Sequence, residues 1–410
     1  MAWVSKYLQP SSATDLLQKI GAELVNMGWT LHDDIDSDTK VYKSNGEGGD
    51  RIYEYIWMDV SGSNVLMAAY GWWDNVGHSG SCRAYYSATY SYITYAASGW
   101  YLISGNKNLV AIKRLGQSGS NHQILFGHFP KRFYEKPLGT LQNSETGGSN
   151  VVVELDDTTG FFPNKTYQIF GDAGEGRDMV KVDAVDHGAS TVTINSLPRD
   201  YSAGSMIGAM PSTFGYLGYA GSRSYWHNTC YYTLTGTTNG SSYNVHYCSV
   251  SQEFLLSQAY LDPEAALGAG TGTTGLYVLQ PLTLTEMSSD RHVGYSDDLI
   301  LLAPENSVDR IYGIADPAAT VESGTATGGS ATTIVCAGKG WTDDEWIGKV
   351  VLITDGTGAG QIRKITDNNS DTLTVSTWNV NPAAGSSVFY ICDEAYRVCW
   401  DYYLAVKENP

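Results

Sequence analysis

The stretch Ser12–Trp29, "SATDLLQKIGAELVNMGW", places Leu16, Ile20 and Leu24 four residues apart, with Leu17 and Met27 beside them. That spacing puts an apolar stripe on one side of a helix. Ser12, with Asp15 three positions on, has the form of a capping box, and Gly28 fits the left-handed position that ends a helix. The polar run that follows, "HDDIDSDTK", is expected to be a solvated loop.

Beyond Asp50 the period shortens. "RIYEYIWMDV", "NVLMAAYGWW", "YYSATYSYITYA", "GWYLIS", "NLVAIKRL" and "HQILFGHF" are short, aromatic and β-branched, and Ser, Gly, Asn and Asp separate them. This is the pattern of antiparallel strands. The polar stretches 140–150 and 322–333 read as linkers, and "SQEFLLSQAYL" reads as a short second helix. The expected fold is mainly β: an antiparallel body with one N-terminal amphipathic helix, and two small related β-sandwich or barrel-like modules. The body takes residues 1–150 and 211–322, the modules 151–210 and 323–395, and 396–410 returns to the body as a strand.

The two modules are related by an ordered repeat. Each runs strand, glycine-rich turn, strand, polar turn, strand and a closing Ala-Gly-Ser. Thr191–Ile194 and Thr372–Val375 stand 181 positions apart, as do Gly204-Ser205 and Gly385-Ser386. The second copy carries "KVVLITDGTGAGQIRKI", in which a glycine-rich loop follows an apolar strand as it does in phosphate-binding loops. Here an alternating strand follows the loop rather than a helix, and the Gly-Lys-Ser/Thr ending is missing, so the context for a phosphate is absent. The glycines are expected to make positive-φ turns.

Composition narrows the function. Glycine (45) and tyrosine (29) are abundant, and the net charge of -18 disfavours a nucleic-acid backbone or an anionic membrane as partner. Six widely spread cysteines form no C-x-x-C pair and read as buried thiols in a reducing cytoplasm. The N-terminus lacks the basic and apolar regions of a signal peptide, and no apolar run is long enough to span a membrane. Asp34, Asp36 and Asp38, beside Asp33, have the alternate spacing of a calcium loop, but Thr39 and Asn45 stand where such a loop needs Gly and Glu. His122 and His128 share a strand face without a third ligand in the sequence nearby. The acidic runs Asp156-Asp157, Asp297-Asp298 and Asp343-Asp344-Glu345 could serve a glycan hydrolase but are explained by turns. No catalytic, cofactor or metal residue is therefore assigned. The aromatic runs are the remaining signal: Trp72, Trp73, Tyr85, Tyr90 and Tyr92 are candidates for core packing, a subunit interface or a glycan platform.

The second module, with Trp341, Trp346, Gly348, Gly356, Gly358, Gly360, Gln361, Arg363 and Ile365 in the order "W…D.W.G", "GTGAGQ.R.I" and "DTLTV", resembles small Gly/Thr-rich β modules of tailed-bacteriophage virion proteins. The resemblance covers about 60 residues and, more loosely, the first module. It implies a non-enzymatic structural protein of the tail, baseplate or neck, made in the host cytoplasm and built into the virion. Its implied partners are copies of itself and other virion proteins. A glycan-binding tail fibre or a capsid decoration is the alternative role.

Overall fold

A computed structural model describes residues 3–44, 55–83, 91–107, 109–117, 122–128, 131–132, 138–171, 175, 177–208, 213–214, 254–256, 281–286, 291–301, 311–314, 322–399 and 404–410. The fold is mainly β, and its sheets are antiparallel.

The helix spans Ala13–Asn26. Ser12 Oγ accepts from Asp15 N at 3.0 Å, and Asp15 in turn accepts from Ser11 N at 2.6 Å and pairs with Lys19. At the other end Gly28 has φ 96°, Gly28 N donates to Val25 O and Trp29 N donates to Leu24 O, both at 2.9 Å. That pair of bonds is the Schellman closure, and it satisfies two of the last free carbonyls. Leu16, Leu17, Ile20 and Leu24 are fully buried, each contributing roughly 1.5–3 kcal/mol by leaving water. They pack between two sheets. One contains Val4–Leu8, Tyr101–Gly105, Leu109–Arg114, Gln123–His128 and Thr213–Phe214. The other contains Thr30–Asp34, Thr39–Lys43, Tyr55–Ser61, Asn64–Asp74 and Ser79–Arg83, with Ser91–Thr94 paired to Asn64–Asp74. Met58 and Met67 from one sheet, and Ile103, Ile112 and Phe126 from the other, complete this core. A charge at Ile20 would open it.

Two expectations fail here. The acidic run after the helix is a hairpin rather than a loop: Asp36 Oδ1 accepts from Asp38 N at 2.8 Å and Thr39 N at 2.7 Å, a side-chain turn that joins Thr30–Asp34 to Thr39–Lys43. The expected second helix is also not there where the segment is described. Phe254–Leu256 is a strand paired with Pro281–Glu286, because a short apolar run takes whichever partner the tertiary structure offers. The rest of that segment lies outside the described residues.

Strand Leu404–Glu408 pairs with Glu394–Cys399 and Arg291–Leu301. It also ties to the N-terminus. Ser5 N donates to Asn409 O, Asn409 N donates to Ser5 Oγ, and Trp3 Nε1 donates to Lys407 O.

The two modules are small barrels of one topology. In the first, the strands in chain order are Leu138–Thr140, Gly148–Glu154, Lys165–Phe170, Arg177–Asp186, Thr191–Leu197 and Met206–Gly208. Around the sheet they run first, sixth, third, fourth, fifth, second. In the second module Glu322–Thr325, Thr333–Val335, Val350–Asp355, Ile362–Asn368, Thr372–Val375 and Val388–Cys392 take the same places, and Gly328–Gly329 adds an edge. Registers coincide: Val153 pairs with Val192 as Ile334 does with Leu373, each shifted by the same 181 positions. A bulge falls between Val182 and Ala184, and again between Ile365 and Asp367. Each barrel closes by bringing the end of its first strand to its second, with Gln142 N donating to Glu154 O and Thr327 N donating to Val335 O. Closure leaves no long exposed edge to recruit another chain.

Both presumed linkers belong to these barrels. The stretch 140–150 runs from the last residue of the strand Leu138–Thr140 into the strand Gly148–Glu154, and 322–333 contains Glu322–Thr325 and Gly328–Gly329, so the modules begin near 138 and 322. One glycine in each first strand has a steric cause. A Cβ on Gly139 would come within 2.6 Å of Asp157 O, and one on the matching Gly324 within 3.0 Å of Cys336 Sγ. Backbone blocks a side chain at Gly139, and at Gly324 the Cys336 side chain would have to give way.

Candidate functional site

Of the predicted aromatic residues, the structure describes the side chains of Trp73 and Tyr92. Trp72 and Trp73 are adjacent in the strand Asn64–Asp74. Trp73 is only 5% exposed. It packs in a small cluster with Val41 and Tyr55, and its indole donates to Asp33 Oδ2 at 2.8 Å, the same oxygen that meets His78 Nδ1 at 2.9 Å. That placement removes Trp73 from any exposed stacking surface. Tyr92 lies in Ser91–Thr94, paired with Leu66 and partly buried. Tyr85 and Tyr90 lie outside the described residues, as does the Trp72 side chain.

The aspartates after the helix do not converge either. Asp33 holds Trp73, Asp34 pairs with Lys40, Asp36 caps its turn and Asp38 accepts from Thr14 Oγ1 at 2.6 Å. Among the described residues no group of three or more His, Cys, Asp or Glu side chains is arranged to hold a metal ion. Asp156 accepts from Thr140 N, Asp157 from Thr159 N and Glu345 from Thr342 N, so the acidic runs at these places fasten turns.

The glycine loop at 355–361 has the opposite polarity to a phosphate cradle. Gly356, Gly358 and Gly360 all have φ between 75° and 87°, and a Cβ on Gly356 would overlap the Ser386 carbonyl oxygen. The N–H groups turn inward: Gly356 N donates to Asp355 Oδ1, Thr357 N to Ser386 Oγ, Ala359 N to Gly356 O, Gly360 N to Ile353 O and Gln361 N to Gly358 O. An anion site needs those donors facing out. Carbonyls are offered instead, and the Gly360 oxygen accepts from the Arg397 guanidinium.

Arg397 is the centre of a buried network that sequence reasoning missed. It is 1% exposed, and it pairs through Nε with Glu408, which is equally buried. The two side chains lie diagonally across adjacent strands, on one face, since Arg397 is opposite Val406 and Glu408 opposite Ala395. Tyr7, from the N-terminal strand, donates its hydroxyl to Glu408 Oε2 at 2.7 Å and accepts from Arg397 Nη2 at 3.1 Å and Ile362 N at 3.3 Å. Burial, and then the Glu408 charge, push the Tyr7 hydroxyl far above its ordinary value. The Arg363 guanidinium lies 4.3 Å from the Tyr7 ring centroid and donates to Thr377 O, Ile362 O and Asn379 Oδ1. Burial lowers its pKa. The N-terminal strand, the C-terminal strand and the glycine loop of the second barrel are thus fastened at one point. The signal available in the sequence is a lone arginine in the apolar strand "EAYRVC", with a glutamate in the strand that returns beside it.

Next to this junction lies a cleft of about 380 Å³. Its body wall includes Gly99, Trp100 and Arg114, and its barrel wall includes Ala359, Asn379 and Val380. This cleft and the network beside it join residues from distant parts of the chain. Among known proteins, no family model matches the chain and no curated protein matches it.

Proposed function

We propose that the protein is a non-catalytic structural subunit of a tailed-phage virion, in the tail, baseplate or neck, and that it works by assembling with copies of itself and with other virion proteins. The observation that carries this reading is the duplicated closed barrel. One copy resembles phage virion modules in its residues, and its loop is fastened to the body by a buried ion network. A loop so committed serves rigidity rather than turnover of a substrate. Two closed barrels on a helix-filled sandwich also suit a part that must hold its shape inside a particle without recruiting stray strands. The host cytoplasm is its place of synthesis and the virion its destination.

The test pairs light scattering of the purified chain, over a range of concentrations, with mass spectrometry of purified virions. A defined oligomer and a stoichiometric virion signal are expected. A monomer at every concentration, together with absence from virions, would sink the reading.

A further inference from the structure

The cleft beside the glycine loop contains a cation, Arg114, that no carboxylate among the described residues pairs with. Arg114 ends the strand Leu109–Arg114. Its Nε is buried without a hydrogen-bond partner, and among the described residues its guanidinium forms no ion pair. This is unexpected in a chain with 43 acidic and 25 basic residues, because an unpaired buried donor costs stability that a nearby carboxylate would recover. The local backbone is shaped around it. Gly99 N donates to Ala96 O, Leu115 N donates to Trp100 O, and a Cβ on Gly99 would stand 3.3 Å from Arg114 Nε.

The facing wall is rigid. The Gln361 side chain donates to Gly358 O and Val380 O and accepts from Asn379 N and Val380 N. Asn379 gives its oxygen to Arg363, which leaves its amide nitrogen as a donor. Val380, 51% exposed, adds an apolar surface opposite Trp100.

We propose that this cleft binds a carboxylated sugar residue, with the carboxylate on Arg114 and the ring between Trp100 and Val380. A planar guanidinium matches a carboxylate two-pronged. The volume takes a sugar ring or two rather than a bare ion, and an indole offers a flat apolar face to ring C–H groups. One cation fits one acidic unit, while the net charge of -18 opposes docking of a long polyanion. The inference goes beyond the assembly reading and stands without it: the site can be present on a protein that assembles or on one that does not.

Calorimetry with a glucuronate-terminated disaccharide and its neutral glucose-terminated counterpart tests it. The acidic sugar is expected to bind at least roughly tenfold tighter, the scale of one charge-assisted contact. Arg114→Gln should erase that preference with the melting curve unchanged. Val380→Glu, on the opposite and exposed wall, should supply the missing carboxylate internally and abolish binding; it also decides the matter if Arg114→Gln fails to fold. Equal affinity for the two sugars, competition by acetate at the disaccharide's own concentration, or undiminished binding by Val380→Glu would each overturn the proposal.

Discussion

The two barrels share a strand order, a register and a bulge, yet they use the same place on the fold differently. Gln361 in the second barrel and Asp178 in the first stand at matching positions at the start of the fourth strand, just after the glycine loop. In the second, Gln361 fixes the segment 379–380, and the loop's carbonyl is given to Arg397 of the body. In the first, Asp178 holds Arg199 of its own barrel at 2.6 Å and the Tyr201 hydroxyl at 2.6 Å, and Glu175 accepts from Ser202 N. One copy spends its loop on docking, while the other closes the equivalent contacts on itself. A repeated scaffold therefore sets backbone geometry, and a few side chains decide whether a loop faces inward or outward.

The sharpest way to break this comparison is to remove Arg397. Arg397→Met leaves Glu408 buried and unpaired, and should cost about 3–5 kcal/mol. Arg199→Met removes the matching cation from the first barrel. Arg199 is 40% exposed, so its loss should cost about 0–1 kcal/mol. Urea unfolding followed by tryptophan fluorescence measures both. Equal costs would mean that the glycine loop is not a dock.

A smaller effect compares the two loop ties. Gln361→Ala strips four hydrogen bonds from a residue only 6% exposed, and about 2–3 kcal/mol is expected from groups left unsatisfied. Asp178→Ala should cost about 1–2 kcal/mol, since water reaches its partner Arg199. The reverse order in denaturant midpoints would show that the first barrel, not the second, depends on its loop.

The first strands give a finer contrast. Gly139→Ala would press a methyl against a backbone oxygen, which cannot move aside, and should cost about 1–3 kcal/mol. Gly324→Ala meets the Cys336 side chain, which can shift, and should cost less than about 1 kcal/mol. Differential scanning calorimetry resolves the difference as a larger fall in melting temperature for Gly139→Ala.

How much of this was legible in the sequence follows from where each signal is encoded. The helix was readable to its caps, because Ser12, Asp15 and Gly28 act locally and the stripe from Leu16 to Leu24 needs only one period. The repeat was readable because Thr191–Ile194 and Thr372–Val375 keep their spacing. The barrel boundaries were not, since the strands Leu138–Thr140 and Glu322–Thr325 are short and polar, and their glycines, Gly139 and Gly324, answer to Asp157 and Cys336 further along the chain. The burial of Trp73 was not readable, because the carboxylate that receives its indole, Asp33, lies 40 positions away. The ion network was out of reach because Tyr7, Gly360, Arg397 and Glu408 meet only after both termini have joined the body.

The smallest predicted effect tests that meeting point through pH. Tyr7→Phe keeps the ring under Arg363 but removes the hydroxyl that bonds Glu408, Arg397 and Ile362. At neutral pH it should cost about 1 kcal/mol, the net value of a typical hydrogen bond. The sign of the pH dependence follows from the proton. The folded protein holds the Tyr7 proton well above the ordinary value of 10.0, whereas the unfolded chain releases it near that value. The stabilisation is therefore fully present below about pH 10 and declines as pH rises beyond it, because the unfolded state then gains by ionising. Phenylalanine has no proton to lose, so the gap between wild type and Tyr7→Phe should be constant from pH 7 to 9 and should narrow from pH 10 upward. Other buried tyrosines, such as Tyr42, whose pKa is pushed up to about 12, lower both proteins alike and cancel in the difference. Urea midpoints measured at successive pH values give that difference directly. A gap that stays constant through pH 11 would mean that the Tyr7 hydroxyl is solvated, and that the N-terminal strand is not fastened to the glycine loop.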